Sequence, residues 1–279
     1  MTRPSCARSI VLSLLAVILL GGCATNLQMV ERDLLRKPLD AQEHQPTQLP
    51  EQRPDPLTIV FFADTQISPL LPQSYYQHVA DRIAEVSPDL ILIGGDLLTG
   101  TTLDWQFAEQ TFGQIAALAP TYAVLGNHDH LAGHERVRGL LRATGIQVLH
   151  NRYVRLQIGE HHIYLAGVAD LYTDTPLPEK ALADARARDY VILLSHSPEL
   201  YPQALIRERT DLMLAGHSHG GQVTLFGLWA PVLPMEDRRY WRGLYREDQT
   251  TLLVTNGVGV SRLPIRLCAD PAIEVIRLY

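Results

Sequence analysis

The stretch Leu57 to Gln66 reads LTIVFFADTQ, an apolar run rich in β-branched and aromatic residues that stops at Asp64-Thr65-Gln66. The same event recurs along the chain. Leu90 to Ile93 ends in Gly94-Gly95-Asp96, and Tyr122 to Leu125 ends in Gly126-Asn127-His128-Asp129. Val191 to Leu194 ends in Ser195-His196, and Leu212 to Ala215 ends in Gly216-His217-Ser218-His219-Gly220. Runs this apolar fit strands covered on both faces. In an open α/β sheet the carboxyl ends of such strands share one edge, and ligands bind there. Exits that repeatedly deliver Asp, Asn, Gln or His therefore describe one polar cluster at a sheet edge.

Helical spacing fills the intervals between these runs. Tyr75 to Val86 has apolar residues at helical spacing and ends at Ser87-Pro88. Trp105 to Leu118 is expected as a second helix, with Asp104 as N-cap. Arg136 to Ala143, stopped by Gly145, is expected as a third, and Glu199 to Glu208 as a fourth. Between Ile146 and Ala166 short strands replace helices, with a hairpin turn near Gly159-Glu160. Strand-like runs return at Thr251 to Thr255 and Ala272 to Leu278. This alternation predicts an α/β fold of two packed sheets with helices outside, in one domain.

Bulk properties narrow the function. The chain has 279 residues, enough for a sizeable core. Its net charge of -6 and the lack of a basic stripe argue against a nucleic-acid partner. Arg3 and Arg8 precede an apolar stretch from Ile10 to Leu20, too short for a membrane span and shaped like a secretory signal. Leu20-Gly21-Gly22-Cys23 resembles a bacterial lipobox, with Cys23 lipidated as the first mature residue. An uncleaved anchor helix and an ordinary secretory signal are the competing readings. Ala24, in place of Asp, is expected to direct such a lipoprotein to the periplasmic side of an outer membrane. Residues from Ala24 to about Pro56 are polar and Pro-rich, as in a linker, with a short helix around Leu27 to Arg36 weighed against it. With Cys6 in the signal and Cys23 lipidated, Cys268 stands alone and no internal disulfide forms.

Oxygen from Asp, Asn or Gln, and nitrogen from neutral His, suit Zn²⁺, Mn²⁺, Fe or Co. Asp64, Gln66, Asp96, Asn127, His196, His217 and His219 supply that mixture, and no cysteine competes. Taken in order, these motifs resemble the calcineurin-like metallophosphoesterases, from about Leu57 to Tyr279. The resemblance implies a four-layer αββα sandwich of two mixed β-sheets flanked by helices. It implies two divalent metal ions, one on Asp64, Gln66, Asp96 and His219, the other on Asp96, Asn127, His196 and His217, with Asp96 bridging. It places His128 against the scissile phosphate, with Asp129 beside it as its orienting partner. The implied reaction is hydrolysis of a phosphoester or pyrophosphate bond by a hydroxide held between the ions. The substrate expected is a phosphorylated small molecule or a lipid headgroup.

GHSHGGQ at Gly216 to Gln222 and GVGVSRLPIRL at Gly257 to Leu267 also resemble the YkuE-like, membrane-associated branch. Some of that branch resemble UDP-diacylglucosamine pyrophosphatases of lipid A synthesis, a cytoplasmic reaction that sits badly with an exported chain. Gln66 departs from the family pattern, which usually has His. Its amide oxygen is a weaker ligand than imidazole, so the first site is expected to favour Mn²⁺ over Zn²⁺. Alternatively, Gln66 stands outside the coordination shell. That substitution is the one feature that favours a non-catalytic scaffold of the same fold. The chain thus divides into a signal at residues 1–22, a lipidated Cys23 with a linker to residue 56, and a catalytic domain at 57–279.

Other residues carry open readings. Arg262 and Arg266 either grip a non-reacting phosphate or form structural ion pairs. Asp170 either lies near the site or closes an Asx turn. Trp229, Trp241, Tyr240 and Tyr245 either rim the site or pack the core. His44, His78, His150, His161 and His162 are expected on the surface or in packing, and His130 and His134 in a solvated loop.

Overall fold

Side chains alternate across a strand, so each strand at the centre of a two-sheet protein feeds two cores. A computed structural model describes residues 26–34, 55–99, 104–186 and 188–279. Its first sheet contains β1 (Gln28–Leu34), β2 (Leu57–Phe62), β3 (Leu90–Ile93), β4 (Thr121–Ala123), β5 (Gln147–Val148) and, from the end of the chain, β12 (Ala272–Leu278). The strand order is β1-β12-β2-β3-β4-β5, parallel except where β12 meets β2. The second sheet contains β6 (Arg152–Ile158), β7 (His161–Gly167), β8 (Tyr190–Leu194), β9 (Leu212–Ala215), β10 (Gly243–Glu247) and β11 (Thr250–Val254). Its order is β10-β11-β9-β8-β7-β6, with antiparallel pairs at both ends.

Leu57, Ile59 and Phe61 of β2 point between the sheets and meet Leu165, Ile192, Leu194 and Leu214. Val60 and Phe62 point the other way, into helices α1 (Gln73–Val86), α2 (Trp105–Ala116) and α3 (Asn127–Ala143). On the outer face of the second sheet, Tyr164, Leu193 and Met213 pack with Leu182, Leu200 and Ile206 around the short helices α4 (Pro178–Ala181) and α5 (Ala204–Arg209). The four layers are helix, sheet, sheet, helix, as expected. Fully burying one such aliphatic or aromatic side chain contributes about 1.5–3 kcal/mol, so this triple core fixes the relative position of the strand ends.

Several elements follow from local chemistry. Tyr75, Tyr76, Val79, Ala80 and Ile83 form the buried stripe of α1, and Ser87 ends it in a left-handed conformation before Pro88. Asp104 caps α2 by accepting from Phe107 N at 2.9 Å. The hairpin between β6 and β7 turns at Gly159-Glu160.

The structure also corrects the sequence reading. Gln28–Leu34 is a strand, not a helix or free linker, and it lies parallel to β12 along seven residues. The third helix starts at Asn127 rather than Arg136 and kinks at Gly133. The expected fourth helix is broken into a single turn at Pro198–Leu200 and α5. The signal at residues 1–22, the lipidation site Cys23 and His44 lie outside the described residues. Among the described residues, no helix is long and apolar enough to cross a membrane.

Candidate metal centre

The carboxyl ends of β2, β3, β8 and β9 and the start of α3 meet at one edge. Asp64 and Gln66 follow β2, Asp96 follows β3, Asn127 and His128 open α3, His196 follows β8, and His217 and His219 follow β9. Asp64, Gln66, Asp96, His217 and His219 all have positive φ, between 41° and 69°. Left-handed backbone is uncommon outside glycine, and such strain clusters at functional sites. Glycines make room for the carboxylates. A Cβ at Gly126 would fall on the Asp96 carboxylate, and one at Gly216 on that of Asp64.

Two ligand groups result. Asp96, His196 and His217 form one, and Asp64, Asp96 and His219 the other, with the ligand atoms of each within 4.8 Å of one another. Asp96 is common to both. All five residues are buried. His196 Nε2 lies 3.3 Å from Asp96 Oδ2 and 3.1 Å from His217 Nδ1. Each ring's outer nitrogen is occupied: His196 Nδ1 pairs with Gly94 O at 2.8 Å, and His217 Nε2 with Pro234 O at 2.6 Å. A carbonyl accepts only from N–H, so both bonds place a proton on the outer nitrogen and turn the inner one towards the cluster, where it can bind a cation once it carries no proton.

Three buried polar atoms at this edge have no partner in the protein: Gln66 Oε1, Asn127 Oδ1 and His219 Nδ1. Such orphans are rare in a folded interior. Gln66 Nε2 lies 3.0 Å from His219 Nε2 and 3.2 Å from Asp96 Oδ2. Turning the amide over exchanges its two atoms and sets the oxygen among those groups. The donor set thus fits divalent cations, with hard oxygens and neutral imidazoles converging on a shared carboxylate.

The charges agree. Burial pushes the Asp64 carboxyl up to about 7, and the charge of Asp96 adds to the rise. Burial also opposes charge on Asp96, but His196 and the His128 backbone hold it well below the usual carboxylate range. Burial disfavours an imidazolium at His196, yet the Asp96 charge raises it to about 10. His217 is pushed down to about 4 by burial and by His196, and His219 falls well below its ordinary value by burial and the Arg266 charge. Neutral imidazole is the form that binds metal, so His217 and His219 are already in it, and a cation at His196 must displace a proton.

His128 donates its backbone N–H to Asp96 Oδ1 at 2.8 Å, and its ring Nδ1 lies 2.7 Å from Thr99 Oγ1. That leaves Nε2 as the nitrogen available to a ligand. Asp129 does not orient this ring. Its buried carboxylate accepts from Leu97 N, Leu98 N and Gly126 N at 2.8–3.1 Å, tying the loop after β3 to the start of α3. Burial, with the nearby Asp96 charge, pushes it up to about 7. Thr99 is the partner that sequence reasoning missed, because Thr99-Gly100-Thr101-Thr102 offers no motif that singles it out.

Arg266 does not reach substrate either. It is fully buried and donates to the carbonyls of Gly259, His219, Ala269, Asn256 and Gly257, a frame behind the His219 turn rather than an ion pair. Arg262 is exposed and lines a cavity of about 370 Å³ with Gln66, Asp96, Asn127, His128, His217 and His219. Asp170 Oδ2 closes a local turn onto Tyr172 N and Thr173 N, and Tyr172 stacks on His217. Tyr240 and Tyr245 pack at the third core, and Trp229 is exposed. His78 and His162 are exposed, and His150 is half-buried. His161 is buried beside Asp55 O. His130 and His134 stack on α3 rather than in a loop.

A two-sheet sandwich that collects carboxylates and imidazoles at one strand edge is the frame of a metallophosphoesterase. The chain belongs to the calcineurin-like phosphoesterase family, whose model it matches over residues 57–221. It is 34% identical over 230 residues to phosphodiesterase YaeI of Escherichia coli (strain K12), covering 80% of this chain and 82% of YaeI. It is 31% identical to the uncharacterized metallophosphoesterase YkuE of Bacillus subtilis (strain 168), covering 80% of this chain and 79% of YkuE. Among solved structures, the Haemophilus influenzae NAD nucleotidase NadN aligns with a TM-score of 0.49 and 18% identity, over 73% of this chain and 45% of that one.

Proposed function

We propose that this protein is a dinuclear metal-dependent phosphoesterase of phosphodiesterase type, exported and held at the bacterial envelope through Cys23. Asp64, Gln66, Asp96 and His219 would hold one cation, and Asp96, Asn127, His196 and His217 the other, with Mn²⁺ favoured by the amide oxygen of Gln66. Divalent cations bound there acidify water and neutralise charge on a phosphoryl group.

The chain's own residues do the rest. Asp96 is fixed by His128 N and His196 Nε2, so its carboxylate keeps one orientation. Pro234 O and Gly94 O each take the outer N–H of an imidazole and turn its other nitrogen towards the shared carboxylate. His128, steadied by Thr99, offers Nε2 to a phosphoryl oxygen and to the leaving oxygen, which it protonates. Arg262 at the cavity mouth meets negative charge beyond the reacting phosphorus. The observation that carries this reading is the sharing of buried Asp96 between two ligand groups beside orphaned amide oxygens. The similarity to a protein named as a phosphodiesterase supports the diester preference.

The test is purified protein supplied with Mn²⁺, assayed for bound metal and for turnover of mono- and diester nitrophenyl phosphates beside a panel of natural phosphoesters. Two ions per chain with faster diester turnover is the expected outcome. Metal-replete protein inert on every compound would point to a non-catalytic scaffold.

A further inference from the structure

Of the ten large apolar side chains exposed among the described residues, five lie between Leu225 and Val232, and a sixth, Leu263, lies on the loop that shares the cavity wall. Leu225 and Trp229 form an antiparallel bridge, and Leu228 N donates to Leu225 O at 3.0 Å. Phe226 and Gly227, the central pair of that turn, have φ of 52° and 71°. Left-handed backbone at both positions makes a tight hairpin turn, where Asn, Asp or Gly are usual. Here one of the two is a phenylalanine, 80% exposed, beside Leu228 at 84%. The fold thus holds an aromatic side chain in an unfavourable backbone region in order to present it to solvent.

The surroundings identify what it meets. Residues 222–235 contain no charged side chain. Beneath the turn, a Cβ on Gly227 would lie 3.3 Å from the Arg242 guanidinium, and Arg262 stands at the cavity mouth next to Leu263. An apolar tip containing Trp and Phe above a cationic collar complements a bilayer, with acyl chains outside and phosphate headgroups at the arginines. The chain's entry point lies on the same side. Thr224, at the base of the hairpin, donates from N to Leu267 O and from its hydroxyl to Cys268 O. Two residues further on, Asp270 accepts from Asn26 at 3.2 Å. Cys23 precedes Asn26 by three residues in the sequence.

We infer that the Leu225–Trp229 hairpin, with Val232 and Leu263, is a docking rim that seats the cavity on an anionic lipid bilayer. The cavity wall is continuous with the rim through Val232 and Leu263, so a phosphoester can enter with its apolar part still in the bilayer. This last point rests on the phosphoesterase reading. The docking itself does not.

The probe is Trp229, compared in the full chain and in Trp229→Phe on vesicles of phosphatidylethanolamine and phosphatidylglycerol, part of whose acyl chains carry bromine. The expected result is a blue-shifted, bromine-quenched emission component in the parent that Trp229→Phe lacks. Leu228→Asp should abolish the same component while leaving turnover of a soluble nitrophenyl diester as it was. Equal quenching in parent and Trp229→Phe would overturn the inference, because the local signal is independent of any anchor at the N-terminus. So would a Trp229 already shielded in vesicle-free solution with the mass of two chains, which would assign the surface to a second copy. The readout needs no turnover, so an inactive protein that docks would sink only the phosphoesterase reading.

Discussion

His128 and Asp129 are neighbours in sequence with unrelated tasks. The imidazole hangs over the cavity on Thr99, and the carboxylate is spent on three backbone N–H groups behind it. His128→Ala should therefore keep its full metal content while turnover drops about 10²–10⁴-fold, the usual contribution of a positioned acid. Metal analysis alongside steady-state kinetics checks this, and a variant as fast as the parent would take His128 out of the reaction. The residues that the structure draws together at the sheet edge were readable as Asp, Gln, Asn and His at strand exits, because strand periodicity and ligand chemistry are both local signals. Thr99 and Arg266 were not readable. What each does depends on where a distant loop passes, and the sequence shows only one Thr among several and a conspicuous Arg. By residue type Arg266 fits either a phosphate grip or an ion pair, and it does neither: it serves carbonyls separated from it by up to 47 positions.

At the scale of elements, the turn into α3 sets the geometry of the shared carboxylate. Gly126 has an ordinary extended backbone, so only space demands glycine there. Gly126→Ala pushes a methyl group into Asp96. It is expected to destabilise by about 1–3 kcal/mol, as overpacking does, and to weaken metal retention. Thermal melts with and without chelator read both effects, and an unchanged melt with full metal content would mean that Asp96 has slack. The helices that follow strong apolar stripes, α1 and α2, were legible almost to the residue. The first turns of α3 are not legible, because Asn127-His128-Asp129 carries ligand chemistry rather than an apolar stripe and a kink at Gly133 interrupts the helical pattern. β1 was missed because QMVERDL alternates weakly, and its strand character depends on β12, more than 240 positions away.

For the whole molecule, protons and cations compete for one site. Without metal, Asp64 keeps its proton up to about 7 and His196 keeps its proton up to about 10. Both folded values lie above the ordinary ones. Their stabilising contribution is therefore complete in acid and is lost as pH rises, through about 7 for Asp64 and about 10 for His196. A bound cation replaces those protons, so its affinity climbs with pH over the same range. The melting temperature in excess Mn²⁺ minus that in chelator should thus widen between roughly pH 6 and pH 8. A difference that stays flat across that interval would contradict these proton affinities.

The position of β1 bears on where the protein can be cut. Gln28–Leu34 covers the outer side of Ala272–Leu278, so a chain begun at Arg53, where the Pro-rich stretch invites a start, would leave that final strand with a bare row of amides and carbonyls. Uncovered edges of this kind recruit other chains. Protein begun at Arg53 should self-associate in size-exclusion chromatography, and protein begun at Ala24 should not. The amino-terminal peptide then acts as a built-in guard against clumping, and equal elution behaviour of the two would deny it that office.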